Sequence, residues 1–375
     1  MRVGIVGAGP AGSHLARLLA QAGFGVRVFD ASHPREKPCG GGLTSRALAL
    51  LPVAPADDPL PARRVEACTL ETASGDRVEL RLERPVAIAA RRELDAWLLR
   101  RAVGVGAVHV AERVTAVGDG WLQTTEREER VDLVVGADGA QSLVRRRFLG
   151  PLPKERLAIA AGWFAPGDAR MTIHFLPGLA GYAWLFPRRD HVGVGICAPL
   201  GARPTRALID QLEATVSRHY PSLVDHDGGR YAHTIPSPTA DLGSILELAG
   251  PGWALVGDAA ALADPITGEG IFPALRSAEI LAATLLETGS TAAYPERLLR
   301  DLGRELLRAA ALRDRFYSPG FTDRMVRYAA RSRTIRTALA DLVLGEQGYL
   351  GLKRRLLLSS PRFLLEYGLS VLRGY

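Results

Sequence analysis

Three acids in this 375-residue chain each end a mostly apolar run, Asp30, Asp138 and Asp258, and the last two stand next to a glycine. Acids in that position accept hydrogen bonds from sugar hydroxyls, and the glycines let a phosphate approach the backbone. The segment Gly7-Ala8-Gly9-Pro10-Ala11-Gly12 follows the apolar run Val3-Gly4-Ile5-Val6. Its glycines permit a tight strand-to-helix turn, close approach of a pyrophosphate, and packing of the helix on the strand. The unbonded N–H groups of a helix running from about Pro10 to Ala22 would meet the phosphates. A second strand, 25–29, ends at Asp30, which is placed for the ribose hydroxyls.

Two later segments extend the pattern. Gly136-Ala137-Asp138-Gly139 follows the apolar run 131–135 and precedes a helix that Ser142 can cap. Gly257-Asp258 follows 253–256 and places Asp258 to accept from a ribitol hydroxyl. Gly268-Glu269-Gly270-Ile271 then opens a helix whose positive end can face a flavin pyrimidine ring and favour the reduced anion. Arg91 opens another helix and can reach ribityl or phosphate groups; a solvated helix start is the plainer alternative. A single GxGxxG motif is weak, but the three segments in this order describe FAD. Val114 and Ile271 complete the expected contacts. No second GxGxxG is present for a resident nicotinamide, so electrons are expected from transient NAD(P)H or from a protein such as a ferredoxin.

One further set narrows the class. Lys37-Pro38-Cys39-Gly40-Gly41-Gly42-Leu43, Gly181-Tyr182-Ala183-Trp184-Leu185-Phe186-Pro187 and Asp264-Pro265-Ile266-Thr267-Gly268-Glu269-Gly270-Ile271 resemble the geranylgeranyl reductase family. The resemblance runs from the first strand to roughly Ser277. It implies an FAD-dependent enzyme of the p-hydroxybenzoate hydroxylase fold that saturates isoprenoid double bonds. It also places Gly40 and Gly41 beside the flavin and gives Cys39 a part in the reduction; a packing role for Cys39 is the alternative. The family signature ending Gly-x-Gly reads Gly195-Ile196-Cys197 here, a departure that bears on the lipid cavity. Tyr182, Trp184 and Phe186 alternate along a strand and share one face, as an aromatic substrate wall or as ordinary core. The competing activities are a flavin monooxygenase or dehydrogenase on a non-prenyl substrate, and an electron-transfer flavoprotein delivering to membrane quinone.

The composition, 47% hydrophobic and 23% charged, is that of a globular chain of about two domains. No leader is expected ahead of the first motif. The three cysteines, Cys39, Cys68 and Cys197, suit neither a zinc site nor a disulfide scaffold, so no metal and a cytoplasmic setting are expected. Arginine is abundant, lysine occurs three times and asparagine never. From Phe321 to Tyr375, ten Lys/Arg face four Asp/Glu, which is nearly all of the net +7. No nucleic-acid motif accompanies this basic tail. An anionic membrane surface fits better, with the enzyme peripheral at the inner face. In that reading Lys353-Arg354-Arg355 precedes three leucines, and a helix from Pro361 carries Phe363, Leu364 and Leu365.

The fold class expected is α/β. A Rossmann-type FAD domain (1–52, 84–152, 250–290) is assembled from separated pieces, with an inserted mixed-sheet substrate domain (53–83, 153–249) and a helical C-terminus (291–375). A hairpin is predicted over 65–82 with its turn at Ser74-Gly75-Asp76, helices over 91–102 and 205–219, and strands near 157–164, 171–175, 182–186, 192–198 and 231–235. His174 and His191 read as ordinary strand residues without partners.

Overall fold

Val3, Ile5, Val28, Val134, Val135 and Leu255 are at most 1% exposed. Strands that are apolar on both faces belong in a covered parallel sheet, and these residues build one. In the computed structural model, which describes residues 1–224, 229–318 and 320–358, the sheet has six strands. Their order is Ala249–Gly250, Trp253–Leu255, Leu133–Gly136, Arg2–Val6, Gly25–Phe29 and Val108–Val110. All neighbours run parallel except the first pair. Helix Pro10–Gln21 packs between helices Arg91–Val103 and Ile271–Thr288. Each fully buried aliphatic side chain here contributes about 1.5–3 kcal/mol.

The second sheet has eight strands, in the order Arg230–Pro236, Leu157–Pro166, His191–Pro199, Tyr182–Pro187, Thr172–Phe175, Ala62–Glu71, Arg77–Ala89 and Gly42–Leu43. It is mixed: Thr172–Phe175 pairs parallel with Ala62–Glu71, and the other pairs are antiparallel. Helix Thr205–Val216 buries Leu208, Ile209, Leu212 and Val216 in a cluster with Trp163, Val194 and Ile196. Helices Phe321–Arg331 and Arg333–Val343 contribute Val326, Ala329 and Leu339 to a cluster with Leu80, Val86 and Ile88.

Most expected elements appear within a residue or three of their predicted ends, and several differences have clear causes. Strand Arg77–Ala89 runs past the boundary expected at residue 84, because Val86 and Ile88 continue the buried alternation of Val78, Leu80 and Leu82. Gly42–Leu43, expected with the nucleotide domain, pairs with Ala87 and Ile88 in the eight-stranded sheet. Strands Val114–Gly118, Trp121–Thr124 and Glu128–Arg130 form a small sheet that was not foreseen. Its strands are only three to five residues long, too short to show a clear alternation. Leu122 from this sheet fills the space that a Cβ on Gly4 would occupy, 2.6 Å away. The short helix Ser45–Leu50, capped by Thr44, was also missed.

Both histidines expected to lack partners lie beside a carboxylate. His174 Nδ1 lies 3.6 Å from Glu71, and His191 Nδ1 lies 2.6 Å from Asp190. In each case the partner comes from an adjoining strand or turn that strand periodicity does not reveal. Among the described residues, no helix is long and apolar enough to cross a membrane. The segment from Pro361 onward lies outside the described residues.

Candidate active site

Backbone crowding brings the first two glycine segments together. Gly7 has φ +102°, and a Cβ on it would stand 2.4 Å from the Ala137 carbonyl oxygen. A Cβ on Gly12 would be 2.0 Å from the Gly7 carbonyl oxygen, so Gly12 sets the close packing of helix on strand. Gly9 is different. Its Cβ would meet only the Arg91 guanidinium, at 3.9 Å, so this residue faces open space. Helix Pro10–Gln21 begins at Gly9 without a side-chain cap, leaving its first N–H groups free for an anion.

The acids are held in distinct ways. Asp30 accepts from Ala8 N (3.0 Å), Ser32 N (2.9 Å) and Ser32 Oγ (2.7 Å). Burial works against its charge, but these donors hold the carboxyl below its usual range. Asp138 Oδ2 accepts from Leu143 N at 2.6 Å. Its Oδ1 is buried with no partner, and burial pushes its pKa up. Ser142 caps the next helix by accepting from Arg145 N. Asp258 is ion-paired to Lys37 Nζ at 2.7 Å. Burial opposes its ionisation, and the Lys37 ammonium outweighs that effect and holds the pKa low.

Arg91 is 5% exposed and makes a bidentate pair with Asp95, at 2.9 and 2.8 Å. Burial disfavours its charge, but the Asp95 carboxylate more than compensates and raises its pKa. A solvated helix start is thereby excluded. Helix Ile271–Thr288 opens at Gly270 with no side-chain cap.

Cys39 is half-buried, and its Sγ accepts from Gly41 N at 3.3 Å. The first two glycines after it are sterically required. A Cβ on Gly40 would stand 2.7 Å from the Phe186 ring, and one on Gly41 (φ +76°) 2.0 Å from the Ala89 carbonyl. Trp184 occupies the space a Cβ on Gly195 would take, 2.1 Å away. That contact accounts for the first glycine of the departed signature. Cys197, which replaces the second, is buried in a cluster with Trp184 and Ala160.

All the residues expected at the site except Gly12 line one cavity of about 1180 Å³. Gly12 lies behind it, under Gly7. Drug-sized ligand pockets run to about 300–1,000 Å³, so this cavity has room for a dinucleotide and a second ligand. Tyr182, Trp184 and Phe186 all line it, as do Met325, Leu339 and Leu342 of the C-terminal helices. Three tyrosines hold the loop between its two parts. Tyr182 OH donates to the Thr267 carbonyl, Tyr317 OH to the Ile266 carbonyl at 2.7 Å, and Tyr349 OH to Asp264 Oδ1 at 3.2 Å.

Several site residues had escaped sequence reasoning. Asp95 was detectable, since it lies four residues after Arg91 on the same helix. Lys37, His233 and Glu269 come from separate elements and gave no pairwise signal. His233 lines the cavity, and burial followed by the nearby Lys37 charge lowers its pKa to about 4. Glu269 accepts from Thr44 Oγ1 at 2.7 Å, and burial raises its pKa to about 6.

The uncapped helix start, the open face at Gly9 and the unsatisfied Asp138 Oδ1 fit a dinucleotide. Together with the two-sheet fold they define an FAD-dependent oxidoreductase with a p-hydroxybenzoate hydroxylase-like architecture. Residues 1–209 match the family model described as an FAD binding domain. The digeranylgeranylglycerophospholipid reductase 1 of Methanopyrus kandleri is 32% identical over 318 residues, covering 77% of this chain and 82% of that protein. The menaquinone reductase of Mycolicibacterium smegmatis is 31% identical over 385 residues, covering 91% and 90%. The crystal structure of a geranylgeranyl bacteriochlorophyll reductase-like protein from Thermoplasma acidophilum superposes with a TM-score of 0.76 at 22% identity, over 95% of this chain and 98% of that one, and shows the same fold. The chain belongs to the geranylgeranyl reductase family of FAD-dependent flavoproteins.

Asp258→Ala is expected to weaken FAD binding by about 1.5–3 kcal/mol, the range for a hydrogen bond to a charged group. It also leaves the Lys37 ammonium without its carboxylate partner. Titration of apoprotein with FAD, followed by flavin fluorescence, checks this; an unchanged dissociation constant removes Asp258 from the cofactor set.

Proposed function

We propose that this protein reduces carbon–carbon double bonds in the isoprenoid chain of a lipid or quinone. The observation that carries the proposal is the single cavity lined both by the dinucleotide loops and by Tyr182, Trp184, Phe186, Met325, Leu339 and Leu342. Geranylgeranyl groups in the names of several relatives support it. Bound and reduced, the flavin would supply a hydride. The chain's residues would then align an extended apolar substrate, exclude water and place a proton for the second carbon. The Cys39 thiol, on the glycine loop that Phe186 covers, is the group proposed to assist there. The electron donor is proposed to be transient, NAD(P)H or a ferredoxin.

Anaerobic incubation of the dithionite-reduced enzyme with a geranylgeranyl lipid or menaquinone, followed by mass spectrometry, tests the assignment. Products should gain two hydrogens for each bond saturated. Oxygen-dependent NADPH consumption with a hydroxylated and no saturated product would instead favour a monooxygenase.

A peripheral position at the inner face of the membrane is part of the proposal. The helix over 349–358 begins at cavity-lining Tyr349 and continues to the exposed Leu350, Leu356 and Leu358, with Lys353 and Arg354 also exposed. Each basic residue near an anionic surface contributes about 1 kcal/mol, and salt screens the effect. The protein is expected to float with anionic liposomes in low salt and to release in high salt. Failure to float, together with loss of FAD on truncation after Gly348, would make this segment part of the core.

A further inference from the structure

Arg188 directly follows the strand that carries the aromatic wall, and it is 1% exposed. A guanidinium this deeply buried is costly unless its donors are met. Here Nε has no hydrogen-bond partner, and the two terminal nitrogens hold the segment that carries Cys39. One terminal nitrogen donates to Glu36 Oε1 at 2.7 Å and lies 3.1 Å from His191 Nε2. The other donates to the Cys39 carbonyl oxygen at 2.7 Å. The planar group also lies over the Phe164 ring, 4.6 Å from its centroid. Glu36 passes the connection on. Its two oxygens accept from Arg91 N at 3.1 Å and Arg92 N at 3.0 Å. They thereby cap helix Arg91–Val103, whose own cap residue, Ala90, has no side chain able to do so.

We infer that Arg188 is a positioning residue, fixing the Cys39 loop against the aromatic wall and the start of the Arg91 helix. A run of three glycines would otherwise leave the thiol free to wander. Two contacts prevent that: the Arg188 fork on the Cys39 carbonyl, and the Phe186 ring against Gly40. Both anchors come from one stretch, 186–188, so the thiol moves with the surface proposed to hold the substrate. The consequence for turnover rests on the proposed role of Cys39; the clamp itself does not.

Cysteine alkylation separates the two. Cys68 and Cys197 are buried, and burial raises their pKa values to about 12 and 11. Iodoacetamide near neutral pH therefore reads Cys39. Arg188→Lys keeps a cation for Glu36 but loses the fork to the Cys39 carbonyl. In the FAD-loaded protein it should keep its flavin and label Cys39 about tenfold faster, as a loop released to local opening does. Its kcat for prenyl reduction should fall by about tenfold to a hundredfold with little change in KM, the signature of misplacement. Glu36→Gln, which leaves the Cys39 carbonyl clamped, should label at the wild-type rate.

Wild-type labelling in folded Arg188→Lys would overturn the inference. If the Arg188 variants do not fold, hydrogen exchange in the unmutated protein decides, since rapid exchange of the backbone over 39–42 is incompatible with a clamped loop. Faster labelling in Arg188→Lys, combined with unimpaired turnover in Cys39→Ser, would keep the clamp and remove Cys39 from the chemistry.

Discussion

Gly9→Val is expected to give a folded protein without flavin colour. Gly9 has an ordinary extended backbone (φ −73°), so a β-branched residue meets no conformational barrier there. A Cβ at this position touches nothing but the end of Arg91, at 3.9 Å. Valine would therefore fill the space at the helix start where the pyrophosphate belongs, without disturbing the core. Its methyls would also shield N–H groups that have no other partner. Gly12 supplies the contrast. A Cβ there overlaps the Gly7 carbonyl, so Gly12→Val should unfold the nucleotide domain rather than merely empty it. Visible absorbance of the purified proteins and their circular dichroism distinguish the two effects. Full flavin absorbance in Gly9→Val would show that the pyrophosphate lies elsewhere.

Cys39→Ser is expected to separate the two half-reactions. The substitution is nearly isosteric, and the Gly41 N–H that now approaches sulfur at 3.3 Å can reach a hydroxyl instead. FAD should therefore stay bound and accept electrons at close to the normal rate. Prenyl reduction should slow on the order of 10²-fold, the lower end of what a positioned proton donor contributes. Stopped-flow measurement of flavin reduction, and of its reoxidation by prenyl substrate without oxygen, resolves the steps. Reoxidation at the wild-type rate would leave Cys39 a packing residue of the loop.

Where the sequence was informative, the signal was local. The strand–glycine–helix pattern at residues 3–12 identified itself because turn geometry, helix-end charge and acid spacing all lie within a few tens of residues. The same holds for the strands over 157–199, whose apolar runs and lengths were legible. The sheet over 114–130 was not. Its strands are held by pairing and by Leu122 against Gly4, and the latter contact spans more than a hundred residues. The edge pairing of Gly42–Leu43 with Ala87 and Ile88 was hidden for the same reason.

The chain by itself determined the cofactor and the family, and the residues it proposes for the site, Gly12 excepted, line one cavity. Those features rest on backbone requirements, such as glycine where a phosphate or a neighbouring carbonyl comes close, and such requirements are written residue by residue. Only the tertiary structure decided the charge pairing in and beside that cavity. Lys37 meets Asp258 across 221 positions, and Arg188 meets Glu36 across 152. In a chain with 47 Lys/Arg and 40 Asp/Glu, charge alone allows nearly any such pair. The fold selects these few because burial makes an unpaired ion costly, and burial exists only once the two sheets have closed over the site.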